Sequence, residues 1–153
     1  MDIFHLIRTG NLEQVKQLVE QDKTVLNQKD AKGFPPLIMA TYSGQLEISK
    51  FLIEQGIDVN ALDAASNTAL MGVCFKGYTE MAEILLKKGA DIDRQNVQGA
   101  TALIYAAMFG QDDIAKLLVA HGADKRIKDN QGNTAQMHAQ GKGLTDLAAL
   151  LAG

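Results

Sequence analysis

Apolar residues along the chain gather into short clusters separated by glycine, and the clusters alternate between two kinds. In one kind, opened by Ala69-Leu70-Met71, apolar residues are nearly continuous and predict a short helix running to about Lys76. In the other, Ala82, Leu85 and Leu86 recur at i, i+3, i+4 while Glu80, Glu83 and Lys87 fall elsewhere. That spacing predicts a helix with one buried stripe and one solvated face. Thr68 is the expected N-cap of the first helix and Thr79 of the second. Glu83 and Lys87 stand four apart, a favourable pair on an exposed helix. The scheme recurs with Thr101, then Ile114, Leu117 and Leu118, and an earlier copy sets Pro35 in the capping place and Pro36 in the first turn.

The intervening glycines have a period of 33 residues. Gly33, Gly99 and Gly132 share one place, where Ser66 supplies the missing member; Gly44, Gly77, Gly110 and Gly143 share a second; Gly56, Gly89 and Gly122 share a third. The first series closes D-x-x-G or N-x-x-G and reads as a turn, the second as the break between paired helices, the third as a helix C-terminus. A fixed period of this size predicts stacked units, each too small to bury its own apolar face. The units expected are 30–62, 63–95 and 96–128, between an N-terminal cap over about 1–29 and a C-terminal cap over 129–153, in a single domain spanning 1–153. The first cap breaks at Gly10-Asn11 and turns Val15, Leu18 and Val19 inward. In the last, Gln136 stands where Leu37, Leu70 and Leu103 stand earlier, and Gln140 replaces Ala107. Polar residues in a slot that is otherwise apolar mark an end that faces water. A final helix is expected over roughly Thr145 to Ala152, with Leu147, Leu150 and Leu151 inward. The fold class predicted is all-α, a solenoid of stacked antiparallel helix pairs with protruding turns.

Thr68-Ala69-Leu70-Met71, Thr101-Ala102-Leu103-Ile104, Gly89-Ala90-Asp91-Ile92, Gly122-Ala123-Asp124 and Asp58-Val59-Asn60-Ala61 recur at that period. Through them the chain resembles the ankyrin-repeat family over essentially its whole length, as five units counting both caps. The resemblance implies an ankyrin-repeat solenoid with projecting β-turn or hairpin loops, and a non-catalytic protein-binding role played on a concave face. It departs from the family's T-P-L-H in two ways. Ile38, Met71, Ile104 and Met137 stand where the family has histidine, and alanine replaces proline at 69, 102 and 135. Apolar contact is therefore expected in place of the family's polar ladder between turns.

Charge narrows the partner. A net charge of −3 offers no concentrated positive field for phosphates, and the cluster Lys125, Arg126, Lys128 is diluted by Asp124 and Asp129. No run of about 18 apolar residues is present to span a membrane, and MDIFHLIRTGN has no basic-then-apolar leader. One cysteine, Cys74, leaves a reducing, cytoplasmic setting as the expectation. The partner expected is thus a protein, with neither nucleic acid nor membrane, and the chain is expected to be a monomer. No cofactor, metal or enzymatic activity is expected. His5, His121 and His138 lie in different units without further ligands at helical spacing. Cys74 shares a small inward slot with Thr41, Ala107 and Gln140, and Gly141-Lys142-Gly143 lacks the spacing of a phosphate loop.

One constellation points outward. Tyr42-Ser43, Phe75-Lys76 and Met108-Phe109 each precede a glycine of the second series, so stacking sets Tyr42, Phe75 and Met108 in a row along the first helices. Large apolar side chains on a surface strip mark an interaction site; the alternative is that they pack against adjacent units. The partner-binding residues expected are Phe34, Tyr42, Phe75, Lys76, Tyr105, Met108 and Phe109, with Phe34 at a turn tip and Tyr105 at the groove floor. The same face would otherwise serve homo-oligomerisation in a structural assembly.

Overall fold

The computed structural model describes residues 2–153. Among them ten α-helices form five hairpin pairs: α1 (Ile3–Arg8) with α2 (Leu12–Gln21), α3 (Pro36–Tyr42) with α4 (Leu46–Glu54), α5 (Ala69–Lys76) with α6 (Thr79–Lys87), α7 (Ala102–Met108) with α8 (Asp112–Ala120), and α9 (Ala135–Gly141) with α10 (Thr145–Leu150). No strand occurs among the described residues. The first helices of the pairs pack in a tight row, here the inner face, and the second helices in a looser one.

Side-chain size explains the two rows. Four of the first helices, α1, α3, α5 and α7, bury most of their length, as α5 does with Ala69, Leu70, Met71, Val73 and Cys74. Small residues at the contact, Ala40, Cys74, Ala107 and Ala139, let these helices approach closely. The slot shared by Thr41, Cys74 and Ala107 is fully buried. Thr41 satisfies its hydroxyl by donating to the Leu37 carbonyl at 2.9 Å, and burial pushes the Cys74 thiol far above the ordinary thiol range. The second helices bury only a stripe, Met81, Ala82 and Leu85 in α6. Their outer faces carry the charge, including the Glu83–Lys87 pair at 3.2 Å.

The helix starts follow the sequence closely with one correction. Thr68, Thr101 and Thr134 each accept a hydrogen bond from the backbone N–H three residues on, and Pro35 caps α3 with Pro36 at the first helical position. Thr79 is not a cap: it is the first residue of α6, and Tyr78 precedes it with no side-chain capping bond. The backbone itself ties this break, with Tyr78 N–H donating to Val73 and Thr79 N–H to Gly77. Gly77 is favoured there by its backbone, whose φ is +83°. A Cβ would come within 2.7 Å of the Gln111 side-chain amide, which could swing aside. Ser66, the stand-in of the turn series, takes φ +63°, the only positive φ outside glycine among the described residues.

At the N-terminal end, Lys23–Asn27 forms a 3-10 helix, capped by Asp22 and burying Val25 and Leu26. At the C-terminal end α10 stops at Leu150, two residues short of the expectation, and Leu151 caps it while remaining buried. Gln136 is half-buried and Gln140 exposed.

The turns are stiffened by their first residue. Oδ1 of Asp30, Asp63, Asn96 and Asp129 each accepts two backbone N–H groups, two and four residues on. The last three turns are also joined by a polar ladder, contrary to expectation. Val97 N–H donates to the Ala65 carbonyl at 3.1 Å, Asn130 N–H to Gln98 at 3.0 Å, and Asn96 Nδ2 to Asn67 Oδ1 at 2.8 Å. Backbone groups and Asn side chains supply the ladder without histidine. Ile38, Met71 and Ile104 are buried beneath it.

Candidate functional site

The most informative residue of the inner face is one that lacks a side chain. Met39, Gly72, Tyr105 and His138 stand at equivalent places on α3, α5, α7 and α9. Gly72 lies in the wall of a half-open cavity of about 510 Å³ on the side of the first helices. Ile38 and Met71 are its buried lining, Phe34, Met39, Tyr42, Phe75, Tyr105 and Phe109 its apolar walls, and Arg8, Ser43, Asp63 and Asn67 its polar rim. A Cβ on residue 72 would meet Tyr42 Cδ1 at 3.2 Å, so the Tyr42 ring lies over the glycine.

The rings on these walls form a chain. Tyr42 and Phe75 stack with centroids 6.0 Å apart, Phe75 meets Phe109 edge-on at 4.5 Å, and Phe109 stacks on Tyr105 at 6.3 Å. Lys76 Nζ lies 4.7 Å from the Tyr42 centroid, a cation–π contact. The straight row Tyr42–Phe75–Met108 is therefore replaced by a bent one. Met108 is half-buried against the core and absent from the cavity wall, whereas Phe109 is 43% exposed and takes its place beside Phe75. Tyr105 and Phe109 are i and i+4, on one side of their helix, and their stacking draws Phe109 over the wall. Of the seven residues expected, Phe34, Tyr42, Phe75, Tyr105 and Phe109 line the cavity, Lys76 sits at its margin, and Met108 lies apart. Arg8, Met39 and Gly72 were not expected. A glycine inside a helical pattern, breaking a column of large residues, was the signal for the last.

Electrostatics on this face are one-sided. Helices α1, α3, α5, α7 and α9 contain no Asp or Glu, and their cations are Arg8 and Lys76. Among the described residues Arg8 donates only to the Met39 thioether, at 3.7 Å. The one carboxylate on the rim, Asp63, is occupied by its own turn, taking Ala65 N–H and Asn67 N–H on one oxygen and Asn67 Nδ2 on the other. Tyr105 is held by Asn96 Nδ2, which donates to its hydroxyl at 2.9 Å. The equivalent contact at the C-terminal end is His138 Nε2 to Asp129 Oδ2 at 2.7 Å. Burial alone would raise the Asp129 carboxyl, but the N–H groups of Asn133 and Gln131 together with His138 hold it below the usual carboxylate range. Among the described residues no group of His, Cys, Asp or Glu is arranged to hold a metal, and no helix is long and apolar enough to cross a membrane.

Comparison with known proteins agrees with this architecture. The family described as "Ankyrin repeats (3 copies)" matches residues 3–96, 62–129 and 93–153. The chain is 44% identical over 62 residues to Ankyrin repeat and SAM domain-containing protein 6 of Danio rerio, covering 40% of this chain and 8% of the relative. It is 36% identical over 62 residues to DNA-binding protein RFXANK of Homo sapiens, covering 40% and 24%. It is 38% identical over 58 residues to the Acyl-CoA-binding domain-containing protein 6 homolog of Dictyostelium discoideum, covering 38% and 20%. Each match thus spans less than a quarter of the relative. With its 33-residue period, its stacked helix pairs and family matches that together run from residue 3 to residue 153, the chain belongs to the ankyrin-repeat family.

Proposed function

We propose that this chain is a non-catalytic protein-binding module that holds its partner on the inner face, with the helix pairs acting as one domain. Ankyrin repeats are generally protein–protein interaction modules. The observation that carries the reading here is the half-open aromatic wall: Tyr42, Phe75 and Phe109 are each more than a third exposed while lining one cavity. Exposed Tyr and Phe clustered around a pocket are the residue types that anchor interfaces. The rings are held by each other and by hydrogen-bonded turns, so the surface is preformed and loses little freedom on binding. One relative is named as a DNA-binding protein. A net charge of −3 favours a protein partner over a polyphosphate in this chain, and the chain acts as a monomer in the cytoplasm.

The test is affinity capture with the chain and with the triple variant Tyr42→Ala, Phe75→Ala, Phe109→Ala, matched for thermal midpoint. Each substitution is expected to weaken a partner that uses the wall by more than ~1 kcal/mol. Partners retained equally by both proteins would place the binding surface elsewhere. A stable dimer in sedimentation, abolished by the triple variant, would transfer the wall to self-assembly.

A further inference from the structure

We infer that the cavity over Gly72 takes one large apolar side chain from an acidic partner segment, whose carboxylates meet Arg8 and Lys76. The inference rests on the protein-binding reading above and adds the chemistry of the partner.

Two observations carry it. The first is the cavity itself, in whose lining Gly72 interrupts the column occupied by Met39 and Tyr105. An open space of about 510 Å³ walled by aromatic rings and floored by Met71 and Ile38 exceeds what a flat contact would need. Its apolar walls remove much of an inserted side chain's surface from water, the setting in which hot spots are strongest. The second is charge. The chain as a whole is negative, yet the helices of the inner face carry no carboxylate. Arg8 lines the cavity and Lys76 lies over the Tyr42 ring, and neither forms an ion pair among the described residues. Asp63, the one rim carboxylate, has both oxygens committed to its turn. The acidic side chains Glu47, Glu54, Glu80 and Glu83 all lie on the second helices. An acidic segment is thus drawn to the inner face and repelled by the outer one, a polarity that orients encounter as well as holding the complex.

The probe is a phage-displayed library of random peptides about a dozen residues long, which reach ~40 Å when extended. Selection against the whole chain is expected to enrich peptides with one Phe, Leu or Trp flanked by Asp or Glu. Peptides synthesised from that enrichment should lose at least about fivefold in affinity to Gly72→Met, which pushes a large side chain into the cavity, and a similar factor to the double variant Arg8→Gln, Lys76→Gln. The second loss should shrink as salt rises to about 1 M, where charges are screened within a few ångströms. The double variant changes only exposed side chains, so it decides the charge claim even if Gly72→Met unfolds. Enrichment of basic or neutral peptides that lose binding to Tyr42→Ala and Phe75→Ala would overturn the acidic partner and leave the protein-binding face standing. Peptides indifferent to every one of these variants, no enrichment, or a second copy of the chain seated on the face in sedimentation would overturn the proposal.

Discussion

At Gly72 two demands on one residue pull apart. A glycine in the interior of α5 costs about 1 kcal/mol of helix propensity relative to alanine, and nothing in its backbone requires it, because its φ is not positive. What opposes a side chain there is the Tyr42 ring, whose Cδ1 would lie 3.2 Å from a new Cβ. Tyr42 is 42% exposed, so its ring has room to yield by a few tenths of an ångström. Gly72→Ala is therefore expected to stabilise the chain by roughly 0.5 kcal/mol in urea unfolding while weakening any ligand of the cavity. A destabilised variant would mean the Tyr42 ring is fixed. The residue was visible in the sequence but not its meaning: a period of 33 draws attention to what repeats, and Gly72 matters because it does not. Its neighbours were more legible, since Tyr42 and Phe75 announce themselves as large side chains at a place where a short helix ends.

The helix boundaries were legible where a side chain makes them and less so where the backbone does. Thr68, Thr101 and Thr134 cap as their type suggests, whereas Thr79 lies one place inside α6, behind a break tied by main-chain bonds. The apolar row Tyr42, Phe75, Met108 takes a different course at its last member for a related reason. Equivalent positions predict equivalent Cα atoms, but the stack of Tyr105 on Phe109, the residue that caps α7, settles which side chain reaches the wall. At the C-terminal pair, α9 shows an element held by a turn. Asp129 does for its turn what Asn96 does for the one before, and adds the bond to His138. Its carboxyl is held below the usual range, so its contribution is fully present above about pH 4 and is lost as pH falls through the lowered folded value. Asp129→Asn keeps the two backbone bonds and removes the titration. Thermal midpoints from neutral pH downward should show the native chain ahead at neutrality and its lead shrinking in acid. A constant gap would assign the difference to shape and not charge.

Across the whole molecule, stability should follow the stacking. Each helix pair touches only its neighbours, so the opening free energy of a pair is set by its own burial and one or two interfaces. The central pairs have two such interfaces and the end pairs one, but the ends are not equivalent. Helix α1 buries Ile3, Phe4, Leu6 and Ile7, and the 3-10 helix behind it adds Val25 and Leu26. Helix α9 buries only Ala135 and Ala139. A buried large aliphatic or aromatic side chain stabilises by about 1.5–3 kcal/mol, and alanine by far less. The C-terminal pair therefore opens first, the N-terminal pair later, and α5 and α7 last. Hydrogen exchange followed by mass spectrometry should read that order directly, with fastest labelling in residues 135–150 and slowest in 69–76 and 102–108. The loss of Leu to Gln136 in this column already hinted at a weaker end in the sequence, but the sealing 3-10 helix at the other end did not, because its Thr-Val-Leu-Asn carries no helical period. Equal protection at both ends would show that interfaces between pairs, and not the side chains each pair buries, dominate the stack.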